Sequence, residues 1–117
     1  MYDAFVAALL LAGSHVAVSY GAAEVWKVDY KTYLTMTVGF GLIVGLLLKG
    51  IAAGWKNRLA AAFKEEERQG ELGIDVLLFF VTLVVGGVAS AVIVYRRYGA
   101  VGWAGSVAAN YLASWLI

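Results

Sequence analysis

Ionisable and amide side chains inside apolar segments are the first candidates for chemistry in this sequence. His15 lies midway along an otherwise uncharged run of apolar residues. Lys49 lies near the end of the next apolar run, and Asn110 lies in the last uncharged segment of the sequence. Inside a membrane such groups mark ion or proton pathways, or they bond neighbouring helices. We therefore expect His15 either to line a pore or to make a polar contact with a neighbouring helix. Lys49 is expected to take one of the same two roles, or to extend its ammonium group to the membrane–water interface. Asn110 is expected to bridge helices by hydrogen bonds.

Enzymatic chemistry is not indicated by the remaining polar residues. The chain has no cysteine and one histidine, which excludes thiol catalysis, iron–sulfur clusters and cysteine-ligated zinc. Nucleophile-elbow, P-loop and HExxH patterns are absent from the sequence. The run Glu65–Glu67 is expected to be solvated, because it lacks further acidic ligands nearby. We predict a non-enzymatic protein with no cofactor and no metal, in contact with lipid.

The elements that must position these residues are predicted to be membrane helices. Hydrophobic residues make up 62% of the 117 residues and charged residues only 15%, an imbalance that a small soluble domain cannot bury. Charge-poor runs long enough to cross a bilayer occupy residues 4–23, 32–54 and 76–95. Residues 99–117 form a more polar fourth candidate, so three to four spans are expected. The first run lacks a basic leader and is interpreted as a mature helix.

A charged connector at residues 55–75 separates the second and third runs. It is predicted to be an amphipathic helix with Leu59, Ala62 and Phe63 on one face. Two shapes are open: a continuation of the second span to about residue 69, or a separate piece lying on the membrane surface. Gly70 and Gly73 are expected to form the hinge into the next span. The predicted fold class is all-α, a single membrane domain of helical hairpins with this polar connector.

Small residues occur at helical spacing in four places, which is typical of closely packed membrane helices. They are expected to serve packing within the chain or association between copies, and the second use is favoured. The candidate residues are Gly41, Gly45, Gly50, Gly54, Gly86, Gly87, Gly102, Ser106 and Asn110.

About half of the chain resembles the conjugation-type pilins and related DNA-transfer pilus subunits. The likeness lies in Thr32–Gly54 and Val76–Tyr95, two Gly/Ala/Val-rich segments joined by KNRLAAAFKEEERQ. The resemblance implies a helical hairpin around a polar turn and assembly into a filament or transfer channel.

Three functions are therefore carried forward. The first is a self-assembling membrane subunit, with a pilin-like filament or DNA-transfer channel as its specific form. The second is an accessory subunit of a larger membrane complex, and the third is a homo-oligomeric channel or transporter. The expected partners are further copies of the chain, lipids and other membrane subunits. Nucleic acid is expected only for a transfer channel, since the net charge is +1. The expected location is the membrane or a membrane-derived extracellular filament.

Overall fold

A computed structural model describes residues 2–64 and 70–117, with side chains described for residues 2–63 and 73–117. Helix α1 spans Asp3–Tyr20 and continues into a π-helical turn at Gly21–Val25. Helix α2 spans Tyr30–Ile51 and helix α3 spans Trp55–Lys64. One further helical stretch covers Gly70–Leu116. The described residues contain no strand, so the predicted all-α fold is confirmed.

The last helical stretch is two helices joined at Gly99. Gly99 has φ 79° and ψ 174°, a conformation that favours glycine because it has no Cβ. A straight helix of 47 residues would be about 70 Å long, yet the whole molecule extends only 44 Å. We call residues 70–98 α4 and residues 100–116 α5. Trp103 Nε1 donates to Ser90 Oγ at 2.7 Å, so α5 folds back beside α4.

Three helical stretches are long and apolar enough to cross a membrane: Asp3–Val25, Tyr30–Ile51 and Gly73–Leu116. The distribution of side chains between the interior and the surface also fits a membrane protein. Polar and charged residues are buried in the interior beside its apolar core, and they are His15, Ser19, Thr37, Asp75, Ser90, Ser106, Asn110 and Ser114. Many large apolar side chains are exposed on the outside, notably on α2 and α4. This arrangement suits a lipid environment, because lipid accepts apolar surface and offers buried polar groups no partner.

The connector is a separate helix, so the alternative of one continuous helix from the second span is wrong. Helix α2 ends at Ile51 because Ala52 leaves helical geometry and Gly54 has φ 93°. The buried Trp55 then draws α3 back to the bundle, where its indole stacks on the Phe79 ring at 6.0 Å. Apolar contact with the bundle therefore outweighs continuation of α2.

The expected hinge at the other end of the connector is also corrected. Helix α4 already begins at Gly70, so Gly73 lies inside it and does not form a turn. The connector residues 65–69, including the Glu65–Glu67 run, lie outside the described residues.

Close helix approach depends on glycine at two crossings. A Cβ on Gly41 would lie 2.5 Å from the Asn110 carbonyl oxygen, and one on Gly86 would lie 2.5 Å from the Ala12 Cβ. Gly45 is in the same position as Gly41 one turn later, against the Ser114 carbonyl oxygen at 2.9 Å. Helix α5 therefore packs on α2, and α4 packs on α1, with almost no side chain between the backbones.

Adding a methyl group at Gly41 should destabilise the fold, whereas adding one at Gly39 should not. Gly39 lies half a turn away on α2, and no atom of the described residues lies within 4 Å of where its methyl group would be. We expect Gly41→Ala to lower the free energy of unfolding by about 1–3 kcal/mol through overpacking. Gly39→Ala should leave it unchanged or raise it by up to about 1 kcal/mol, because alanine favours helix. Reversible unfolding in mixed detergent micelles, followed by circular dichroism, measures both; equal losses would contradict the packing described.

Candidate functional site: a buried polar network between α1, α2 and α5

Ser106 is the centre of a hydrogen-bonded network in the interior of the bundle. Its Oγ lies 3.1 Å from His15 Nε2 on α1 and 2.9 Å from Tyr33 Oη on α2. Tyr33 Oη also lies 2.7 Å from Ser19 Oγ, one helical turn beyond His15. The network therefore links three helices through four side chains, all of which are at most 1% exposed.

The positions of the protons follow from the number of bonds each group makes. Ser106 Oγ donates to the Trp103 carbonyl oxygen at 2.8 Å. Tyr33 Oη donates its proton to Ser106 Oγ, so Ser19 donates to Tyr33 Oη. His15 Nε2 shares the Ser106 hydroxyl, as donor or acceptor according to the tautomer of the imidazole. His15 therefore makes its polar contact with a serine side chain of α5.

This network is built to bond helices. Its hydroxyl groups bond to one another and, through Ser106, to the Trp103 carbonyl oxygen of α5. The arrangement therefore stabilises the contact of α5 with α1 and α2, and His15 is a polar contact in it.

Asn110 and Ser114 extend the polar face of α5 along α2. Asn110 Nδ2 donates to the Thr37 carbonyl oxygen at 3.2 Å, and Ser114 Oγ lies 3.0 Å from the Gly41 carbonyl oxygen. Both acceptors are backbone groups that the glycine-lined surface of α2 leaves accessible. Among the described residues, Asn110 Oδ1 has no partner. The predicted bridging of helices by Asn110 is thus seen in the structure.

A second polar site closes the bundle at the end where α3 lies. Asp75 on α4 is fully buried and accepts hydrogen bonds from the backbone N–H groups of Ala4 at 3.2 Å and Phe5 at 2.8 Å. It therefore caps α1, whose own N-cap residue makes no side-chain bond to the helix. Arg58 lies 3.5 Å from the same carboxylate and 3.7 Å from that of Asp3.

The sequence did not reveal this capping role for Asp75. Its position beside an apolar run suggested only that it sets the depth of a helix in the membrane. The sequence also carries no signal of a missing cap, because Asp3 is itself a residue type preferred at helix N-termini.

The opposite end of the bundle is closed by the turn between α4 and α5. Arg97 Nε donates to the Val28 carbonyl oxygen at 3.1 Å, and Tyr98 Oη donates to the same oxygen. The Tyr98 ring stacks on the Tyr33 ring with centroids 4.8 Å apart. In the same loop Asp29 caps α2 by accepting from Thr32, and this hydrogen bonding lowers the pKa of Asp29 below its ordinary value.

The other small residues chosen from the sequence fall into two groups. Gly102 and Gly87 face other residues of the same chain. A Cβ on Gly102 would lie 2.7 Å from the Tyr98 Cβ, and one on Gly87 would lie 3.7 Å from the Trp103 ring. Within the described part of the chain, Gly50 and Gly54 have no atom within 4 Å of such a position. Lys49 is exposed near the end of α2, apart from the His15 network.

Comparison with protein-family models, curated proteins and solved structures finds no match for this chain.

Removing the Tyr33 hydroxyl should destabilise the bundle, because Ser19 and Ser106 would each lose a partner. We expect Tyr33→Phe to lower the free energy of unfolding by about 0.6–1.7 kcal/mol, the range of buried hydrogen bonds between membrane helices. Tyr20→Phe is the matched control, since Tyr20 is exposed. Unfolding in mixed micelles measures both, and an unchanged Tyr33→Phe protein would refute the network.

Neutralising Asp75 should lower the free energy of unfolding more than neutralising Asp3 does. Asp75→Asn keeps one acceptor oxygen but leaves Arg58 and the α1 amides without the buried carboxylate, so we expect a loss of about 3–5 kcal/mol. Asp3 is partly exposed, and Asp3→Asn should cost at most about 1 kcal/mol. Amide hydrogen exchange at residues 4 and 5 provides a local readout: protection should fall in the Asp75 variant and persist in the Asp3 variant.

Proposed function

We propose that this chain is a non-enzymatic membrane subunit that assembles with further copies of itself. The observation that carries the proposal is an exposed apolar stripe on the outer face of α4. We call this stripe the outer seam, and its residues are Leu77, Val81, Val84, Val88, Ala91 and Tyr95, of which Ala91 is half-buried and the others are exposed.

The spacing of the outer seam is that of a coiled coil. Its residues alternate at intervals of four and three, which keeps them on one side of a helix over five turns. In the heptad repeat of a coiled coil, Val81 and Val84 would occupy neighbouring a and d positions, and both side chains are at least half exposed. A second helix with the same pattern can therefore pack along it at the shallow crossing angle common in membrane bundles.

The glycine patches contribute to assembly only indirectly in this proposal. Gly41, Gly45 and Gly86 are in contact with Asn110, Ser114 and Ala12 of the same chain. These contacts fix the internal packing and leave the outer faces of α2 and α4 exposed, of which the outer seam on α4 is the one proposed to meet another copy. The seam on one copy would meet the seam on the next, as in a two-fold interface.

Single cysteines on the outer seam test the proposal, because the chain contains no cysteine of its own. Val84→Cys and Val88→Cys should form disulfide-linked dimers on mild oxidation in membranes, since seam residues of two copies would face each other. Fluorescence photobleaching of the labelled, unoxidised protein should count more than one copy per particle.

Leu46→Cys and Val101→Cys are the matched controls. Both positions are at least as exposed as most of the seam but lie on α2 and α5. Equal cross-linking at all four positions would indicate random collision, and a single copy per particle would contradict self-assembly. Stoichiometric co-purification of unrelated chains would favour an accessory subunit instead.

The narrower form of the proposal is a pilin-like subunit of a filament or DNA-transfer channel. Its support is the pair of Gly/Ala/Val-rich segments noted in the sequence. A two-fold contact through the outer seam alone closes at a dimer, so this form also requires a second contact surface between copies. Electron microscopy of the purified protein tests it: filaments or open rings would support it, and closed dimers would restrict the function to a smaller assembly.

A further inference from the structure

We infer that the cavity between α2, α3 and α5 binds an anionic phosphate group, and that its source is the headgroup of an anionic phospholipid. The cavity has a volume of about 260 Å³ and lies at the α3 end of the bundle. That volume is just below the roughly 300–1,000 Å³ of sites for drug-sized ligands, so it suits one headgroup.

Two basic side chains line the cavity. Lys49 and Lys56 both line it, together with Asn57 and Ser114, and the described residues of the lining include no acidic side chain. The acidic residues described at this end, Asp3 and Asp75, are paired with Arg58 outside the cavity. A doubly basic wall of this kind attracts a phosphate oxygen, for which lysine is a common ligand.

The Lys56 ammonium group is held in place. Its Nζ donates to the Trp115 carbonyl oxygen at 2.6 Å and lies 5.1 Å from the centroid of the Trp115 ring. Lys56 thus loses little side-chain freedom when a ligand arrives, and its two remaining protons are available. Lys49 enters the cavity from the last turn of α2.

The position of the cavity favours a lipid over a soluble ligand. Trp55 and Trp115 lie beside it with ring centroids 5.5 Å apart, and tryptophan is enriched where membrane helices meet the headgroups. Leu48 and Ile117 supply apolar wall beneath the lysines. Basic pockets between helices at this depth bind anionic headgroups.

Native mass spectrometry of the detergent-solubilised full chain tests the inference. Short-chain phosphatidylglycerol should remain bound in preference to phosphatidylcholine of the same chain length. Lys49→Gln should weaken phosphatidylglycerol binding about fivefold, as expected for one lysine near a headgroup. Lys56→Gln should do the same, and Lys56→Arg should restore binding because it keeps the charge.

Lys31→Gln is the matched control, since it removes the same charge from the opposite end of α2 and should leave binding unchanged. Equal retention of both lipids, or equal weakening by Lys31→Gln and Lys49→Gln, would overturn the inference. A parallel titration with inorganic phosphate separates the two sources. Binding of inorganic phosphate that depends on Lys49, without selective lipid retention, would overturn the lipid source and uphold the phosphate site. Cysteine cross-linking at Val88 reports on the outer seam separately, so failure here would leave the proposed assembly untouched.

Discussion

A polar helix face in an apolar molecule must be covered completely, and α5 carries that face. Ser106, Asn110 and Ser114 recur on one side of α5, and none can be turned outward into lipid without losing its partners. Their acceptors include backbone carbonyl groups of α2, which side chains reach only where the two helices nearly touch. Glycine at positions 41 and 45 permits that distance. The interior network and the close contact of α5 with α2 both follow from this single requirement.

The same requirement explains why the exterior is so apolar. Once the hydroxyl, amide and imidazole groups have been directed inward, valine, leucine and isoleucine remain for the outer surface. Helix α4 shows the division most clearly: Ser90 bonds to Trp103 on the inner side, and Val88 and Val92 are exposed on the outer side. Surface of this kind can meet lipid or another chain, and its heptad spacing is the basis for proposing the second.

The sequence predicts the helices well because each depends on local composition. Runs of apolar residues and the charges that flank them place α1, α2 and α4, and the Arg96–Arg97 pair marks the turn before α5. The break after α2 was one of two shapes that the sequence left open, because Gly54 and the burial of Trp55 act together and only the fold shows the second. The residues that the glycine patches contact could not be predicted either, because the same spacing occurs in contacts within a chain and in contacts between chains. Asp75 illustrates the limit best: its hydrogen bonds reach residues about 70 positions earlier.

That long-range cap has a consequence for how the chain is assembled during synthesis. Helix α1 is made first, yet the carboxylate that satisfies its leading amides is made after α2 and α3. Until α4 arrives, those amides need water, so the beginning of α1 must wait at the headgroup layer. Bringing Asp75 to the start of α1 closes a loop of about 70 residues, and the entropic cost of that closure is offset only when the contacts between the helices have formed. Helix α1 is therefore finished only after α4 has been made, and a nascent chain that ends before Asp75 lacks the carboxylate that completes it.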